Sequence, residues 1–138
     1  MSLLSKLALA ALLSGAAPAA LAREDAGANA PGLVDRMSLQ VARDHQRHGR
    51  LDEAEAQLAP QLKRSALGAE GRQLLGEIAA ERGEWKRAEA HYRAALAQTP
   101  NAAGLHLRLG QALERQGRQP EAERAYDRYH ALRTGGQP

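Results

Sequence analysis

From about residue 34 onward, apolar side chains recur at three- and four-residue steps. Leu74, Leu75, Ile78 and Ala79 fall on one face of such a run, and Leu105, Leu109, Ala112 and Leu113 on one face of another. Trp85, Ala88, Tyr92, Ala95 and Leu96 make a third. This is the spacing of amphipathic helices. Between the runs stand Gly49, Gly83 and Gly117, and glycine supplies the positive φ with which many helices end. Pro120 sits just inside the start of the last run, where a missing N–H costs little. Thr99-Pro100 closes the fourth, because the residue before a proline avoids the helical region. The pattern predicts six helices, near 34–48, 51–64, 69–82, 85–98, 103–116 and 119–132.

The runs are copies of one another. The stretches 49–58, 83–92 and 117–126 align without gaps. They share Gly49/Gly83/Gly117, Ala54/Ala88/Ala122 and Glu55/Glu89/Glu123, with a bulky column at Leu58/Tyr92/Tyr126. Both steps are 34 residues, and Ala42, Gly76 and Gly110 follow the same period. Three units result: 35–68, 69–102 and 103–136. A stack of such helix pairs buries a core that one pair alone could not. The small residues at 42/76/110 and 54/88/122 are expected to let paired helices approach closely, and the bulky column to fill the space between units.

A 34-residue period carrying Leu75-Gly76, Gly83, Ala88, Tyr92, Ala95 and Pro100 resembles the tetratricopeptide repeat family. The third unit keeps Leu109-Gly110, Gly117, Ala122 and Tyr126, but has Tyr129 where a small residue is usual and Thr134 in place of proline. The first keeps Val41-Ala42, Gly49, Ala54 and Leu58, with Gln61 and Ala66 at the last two positions. Ser38, Arg72 and His106 stand where the family has an early Trp. The resemblance implies an all-α fold: a right-handed superhelical array of three helix-turn-helix units, a short α-solenoid.

Ahead of the repeats, residues 1–22 read as a signal peptide. Lys6 precedes an apolar stretch from Leu7 to Leu13, Pro18 breaks it, and Ala20-Leu21-Ala22 gives a small-x-small cleavage pattern. Ser14, Gly15 and Pro18 fall inside the roughly 20 apolar residues that a membrane span needs, so an uncleaved anchor is the weaker reading. Cleavage after Ala22 would leave a periplasmic or secreted protein with no membrane span in its mature chain. Residues 23–32 are small, polar and rich in helix breakers, and the stretch 23–34 reads as a flexible tether.

Composition narrows the picture further. The 138 residues include no Cys and no Phe, one Trp and three Tyr. The lack of Cys excludes a disulfide scaffold, a zinc finger and a thiol enzyme. Ala, Leu, Glu, Arg and Gln dominate, all good helix formers. Lys and Arg number 19 against 16 Asp and Glu. Removing Lys6 leaves 18 against 16, a net of +2, too balanced to argue for nucleic acid. The Ala- and Arg-rich usage and the leader suggest the periplasm of a GC-rich bacterium.

Nothing singles out catalysis. No nucleophile elbow, phosphate loop or dinucleotide fingerprint occurs. His45 and His48, three apart, are the nearest approach to a metal pair, but structural zinc takes four ligands. Both read as polar residues at a helix end, where cations suit the dipole. No cofactor and no metal is expected.

The resemblance to tetratricopeptide repeats implies instead a concave face built from the first helix of each unit. Carried onto this chain, its inward positions are Arg36, Leu39, Gln40, Arg43, Gln46 and Arg47 in the first unit. They are Glu70, Gln73, Leu74, Glu77, Ala80 and Glu81 in the second, and Gly104, Leu107, Arg108, Gln111, Glu114 and Arg115 in the third. Arg36, Leu39, Arg43, Arg47, Gln73, Leu74, Glu77, Leu107, Arg108, Gln111 and Arg115 are the candidate partner-binding residues. The groove would be basic at one end, acidic in the middle and mixed at the other, with apolar contact from Leu39, Leu74 and Leu107. The implied function is an exported, non-enzymatic scaffold holding a peptide or protein segment, in assembly of a cell-envelope complex. Two alternatives stand beside it: a structural or self-associating subunit acting through its outer surface and last helix, and a metal-binding accessory using His45 and His48.

Overall fold

In the computed structural model, residues 32–64 and 67–135 are described. They form six helices and, among the described residues, no strand. These are α1 (Leu33–Arg47), α2 (Leu51–Lys63), α3 (Ala69–Glu81), α4 (Trp85–Gln98), α5 (Ala103–Arg115) and α6 (Gln119–Arg133). Each boundary lies within one residue of the periodicity-based expectation. The leader 1–22, most of the tether, Ala66 and Gly136 lie outside the described residues.

The turns inside the pairs repeat at the same 34-residue interval as the sequence. Gly49, Gly83 and Gly117 have φ of 71°, 75° and 74°. In each turn the glycine N–H donates three residues back (to Gln46, Ala80 and Glu114), and the next N–H donates five residues back (to His45, Ala79 and Leu113), at 2.9–3.0 Å. This is the Schellman arrangement: two carbonyls that a helix end would leave unpaired are satisfied, and the chain reverses at once. A side chain at these glycines would meet no steric clash, so the positive φ alone explains the glycine.

The pairs pack into two apolar clusters, each joining one unit to the next. Ala42, Ala54 and Leu58 of the first pair meet Leu74, Leu75 and Ile78 of α3. Ala88, Tyr92 and Ala95 of α4 meet Leu105, Leu109 and Leu113 of α5, with Ala122 and Ala125 of α6. The bulky column packs in both directions. Tyr92 shares a cluster with Leu105 and Leu109 of the following unit, and its ring also rests on Gly76 of its own pair. A Cβ on Gly76 would stand 2.6 Å from Tyr92 Cδ1, and one on Gly110 would stand 2.7 Å from Tyr126 Cδ1. The two columns are therefore matched in size. Tyr rests on Gly in the second and third pairs, and Leu58 is paired with Ala42 in the first.

Among the described residues no helix is long and apolar enough to cross a membrane.

This size matching predicts a compensating pair of substitutions. Gly76→Ala gains about 1 kcal/mol of helix propensity, but it displaces the Tyr92 ring and should still leave the protein about 1–2 kcal/mol less stable. Adding Tyr92→Leu, which copies the first pair, should turn the alanine from harmful to favourable. Urea unfolding of the wild type, both single variants and the double variant measures the coupling, and additive effects would contradict the size match.

Candidate functional site

The first helices of the pairs, α1, α3 and α5, lie side by side, and their facing side chains tie them together laterally. Arg43 of α1 donates to Glu70 of α3 at 2.8 Å, and Gln46 of α1 donates to Glu81 of α3 at 2.6 Å. Arg108 of α5 lies 3.1 Å from Glu77 of α3, which also accepts from Gln73 at 2.8 Å. Of the expected basic end, Arg43 is spent between neighbouring helices, and of the expected acidic middle, Glu70, Glu77 and Glu81 are. Arg43 and Arg108 are tie points of the array as much as groove residues.

One cavity opens on this face, of about 550 Å³. Eight of its ten lining residues come from the expected inward positions: Gln46 of α1, Glu77, Ala80 and Glu81 of α3, and Arg108, Gln111, Glu114 and Arg115 of α5. The other two, Trp85 and Tyr92, come from α4. The Arg115 guanidinium lies over the Trp85 ring, 5.0 Å from its centroid, a cation–π contact. Tyr92 is 2% exposed, and burial pushes its phenol up to about 12. Glu114 accepts the Tyr126 hydroxyl at 2.8 Å.

The remaining candidates are placed differently. Leu74 is 2% exposed and belongs to the core between the first two pairs, so the expectation that it contacts a partner is corrected. It faces the packed side of α3 because that helix is covered on both flanks. Leu39 packs partly against the same cluster, and Leu107 is half-buried. Arg36 and Arg47 are exposed on α1 and make no ion pair among the described residues. Trp85 was missed because the family's inward positions lie on the first helix of each pair, whereas Trp85 is the first residue of a second helix. Its place as the chain's only Trp, immediately after a glycine turn, was the available signal.

The carbonyl of Trp85 is anchored from the next unit. Gln116, following α5, donates to it at 3.4 Å and to Glu89 of α4 at 2.9 Å. Glu89 is 8% exposed and also accepts from Arg93 at 2.9 Å and Arg118 at 2.6 Å. Burial works to raise its pKa. Hydrogen bonds from Gln116 and Arg93, with the charges of Arg118 and Arg93, outweigh that and hold the carboxyl below its ordinary value. On the same helix His91 is pulled down to about 4 by burial and by the charges of Arg87 and Arg72.

The two histidines of α1 differ in their surroundings. His48 Nδ1 lies 2.7 Å from the Asp44 carbonyl, and His45 is half-buried with its Nδ1 unpartnered. Among the described residues no three metal-ligating side chains converge.

Comparison with known proteins agrees with this geometry. The family model described as tetratricopeptide repeat matches residues 39–103 and, overlapping, 74–136. No curated protein matches the chain.

Acid should loosen the α4 junction in two stages. A depressed folded pKa contributes stability above the ordinary pKa, which is lost as pH falls toward the folded value. For His91 that window runs from 6.5 down to about 4. For Glu89 the loss begins below 4.5. Thermal melts from neutral pH downward should show both limbs. His91→Gln should flatten the upper one. Glu89→Gln should remove the lower one while costing about 1–3 kcal/mol at neutral pH, because Arg93 and Arg118 both lose the Glu89 carboxylate as an acceptor.

Proposed function

The chain belongs to the tetratricopeptide repeat family, whose repeats mediate protein–protein interaction, and from that premise we propose that it is an exported, non-enzymatic adaptor holding a segment of another protein in its concave face. The observation that carries this reading is the cavity between α3 and α5. It sets the aromatic side chains of Trp85 and Tyr92 among seven polar or charged ones from α1, α3 and α5. A concave site in which polar groups converge beside aromatic surface gives a bound segment both orientation and apolar contact. Because Arg43 and Arg108 are engaged with Glu70 and Glu77, selection falls on the groups left over. Arg115 can give bidentate contact to a partner carboxylate once it swings from the Trp85 face. Glu81 and Glu114 have lone pairs to offer a partner's donors, and Gln111 can both give and accept. Arg36 and Arg47 would extend the contact along α1. The signal-peptide pattern supports export, and a role in assembling a cell-envelope complex fits an adaptor in that compartment.

Trp85 provides an intrinsic reporter. Peptides selected from a display library should bind with a change in Trp85 fluorescence. Arg115→Glu should weaken binding by about tenfold or more without lowering Tm, since it removes a charge-assisted contact. Trp85→Ala, followed by calorimetry, should also weaken binding, with some loss of Tm because Trp85 packs against the core cluster. Peptides that bind both variants as tightly as the wild type would overturn the groove reading.

Export is tested separately. Expressed in a bacterial host, the protein recovered from the periplasm or medium should have the intact mass of a chain beginning at Arg23. Recovery with residues 1–22 attached would refute cleavage after Ala22.

A further inference from the structure

The four large apolar side chains exposed on the described surface all lie on α1: Leu33 at 67%, Val34 at 70%, Met37 at 61% and Val41 at 43%. Their spacing puts them in one stripe along the helix. The repeat shows what such a stripe is shaped for. Thirty-four residues after Val41 stands Leu75, and thirty-four further Leu109; they are 3% and 6% exposed. Leu105, 68 residues after Met37, is 3% exposed, and Leu67, 34 after Leu33, is 7% exposed. In both cases the cover is the second helix of the preceding unit, α2 on α3 and α4 on α5. Helix α1 has no such cover among the described residues. Conversely, among the described residues α6, the equivalent of α2 and α4, covers no following unit, and Tyr126, Tyr129 and Leu132 on it are only half-buried.

The polar contacts of the junction repeat as well. At the first junction Arg82 donates to Glu55 of α2 at 3.0 Å. At the second, Gln116 and Arg118 donate to Glu89 of α4 at 2.9 and 2.6 Å. The next acid in this register is Glu123 on α6, exposed and without an ion pair among the described residues. The donors one period earlier are His48 and Arg50, 68 residues before Gln116 and Arg118. Both are exposed, and Arg50 makes no ion pair among the described residues. The two ends of the array are thus complementary in apolar surface and in charge.

The geometry points to end-to-end self-association, in which α6 of one copy docks on the Leu33–Val41 stripe of α1 of a second copy and Glu123 meets His48 and Arg50. The contact continues the junction already present twice within the chain. It is heterologous and leaves both outer ends open, so it builds chains rather than a closed dimer. It uses neither the cavity nor Arg115, and therefore stands apart from peptide binding.

Light scattering and sedimentation of the protein expressed from its full sequence, across a concentration series, test this directly. The mean mass should climb with concentration past that of a dimer. Met37→Glu should give a monomer with unchanged Tm. Glu123→Arg and Arg50→Glu should each weaken association by about tenfold, because like charges would then face each other. The two combined should restore it. A wild type that stays monomeric throughout would overturn the proposal and leave the α1 stripe to another occupant, residues 1–31 of the same chain included. A closed dimer indifferent to Glu123→Arg would overturn it in favour of α1 packing on α1. Selected peptides that still bind in either case would leave the groove reading intact.

Discussion

The structure depends on how closely two helices of a pair can approach. That distance is set at one point per pair, where the ring of Tyr92 or Tyr126 rests on the bare backbone of Gly76 or Gly110. With no side chain on one helix, a ring from the other fills the gap without a void, and dense packing follows from very few large residues. The chain has no Phe and only four aromatics, yet Ile78, Leu113, Leu74 and Leu58 are all buried below 2% or close to it. A core assembled from many small contacts needs no large aromatic cluster. It needs the helices held at the right spacing, and the glycine–tyrosine contact does that.

Spacing within a pair then governs the junctions between pairs. The tight glycine turns deliver Gln116 and Arg118 to one carboxylate on the preceding unit, and Arg82 to its equivalent. Glu89 is buried, and a lone buried carboxylate is costly; three donors with charge-assisted bonds offset that cost. The same glutamine fixes the Trp85 carbonyl, so the aromatic wall of the cavity is positioned by an interaction whose main partner lies in the core. The site and the scaffold are not separable at this point.

Much of this was legible in the sequence, and the reason is the repeat. Gly49, Gly83 and Gly117 marked the turns because a positive φ leaves little choice of residue. Helix boundaries followed within one residue. Even the size match was written out, as Ala42 with Leu58 against Gly76 with Tyr92, although only coordinates reveal that each ring lies on its own pair. What was not legible is which side of a helix is covered. Leu74 and Leu107 both belong to the family's inward set, yet one is sealed in the core and the other is half-buried, because they stand at different points of the repeat: the equivalents of Leu74 and Leu107 in the neighbouring units are Arg108 and Gln73. Trp85 escaped for the opposite reason: it contributes to the groove from a second helix.

Charge was the least legible of all. Counting Arg and Glu along the inward faces suggests a strongly patterned groove. The coordinates show four of those charges consumed in pairs, Arg43 with Glu70 and Arg108 with Glu77. Exposed pairs of this kind add little stability, each on the order of 1 kcal/mol or less. Their larger effect is on recognition. A cation engaged by its neighbour must give up that contact to hold a partner, so it discriminates weakly, whereas an unpaired group acts at its full strength. Specificity in an array like this one therefore resides in the charges left over at its cavity and at its ends: Arg115 stacked on Trp85, and Glu123 and Arg50 at opposite limits of the repeat. Glu123 and Arg50 stand in the register of groups that are paired at the two junctions inside the array, where Arg82 meets Glu55 and where Gln116 and Arg118 meet Glu89, so each carries an interaction that the repeat has already shaped.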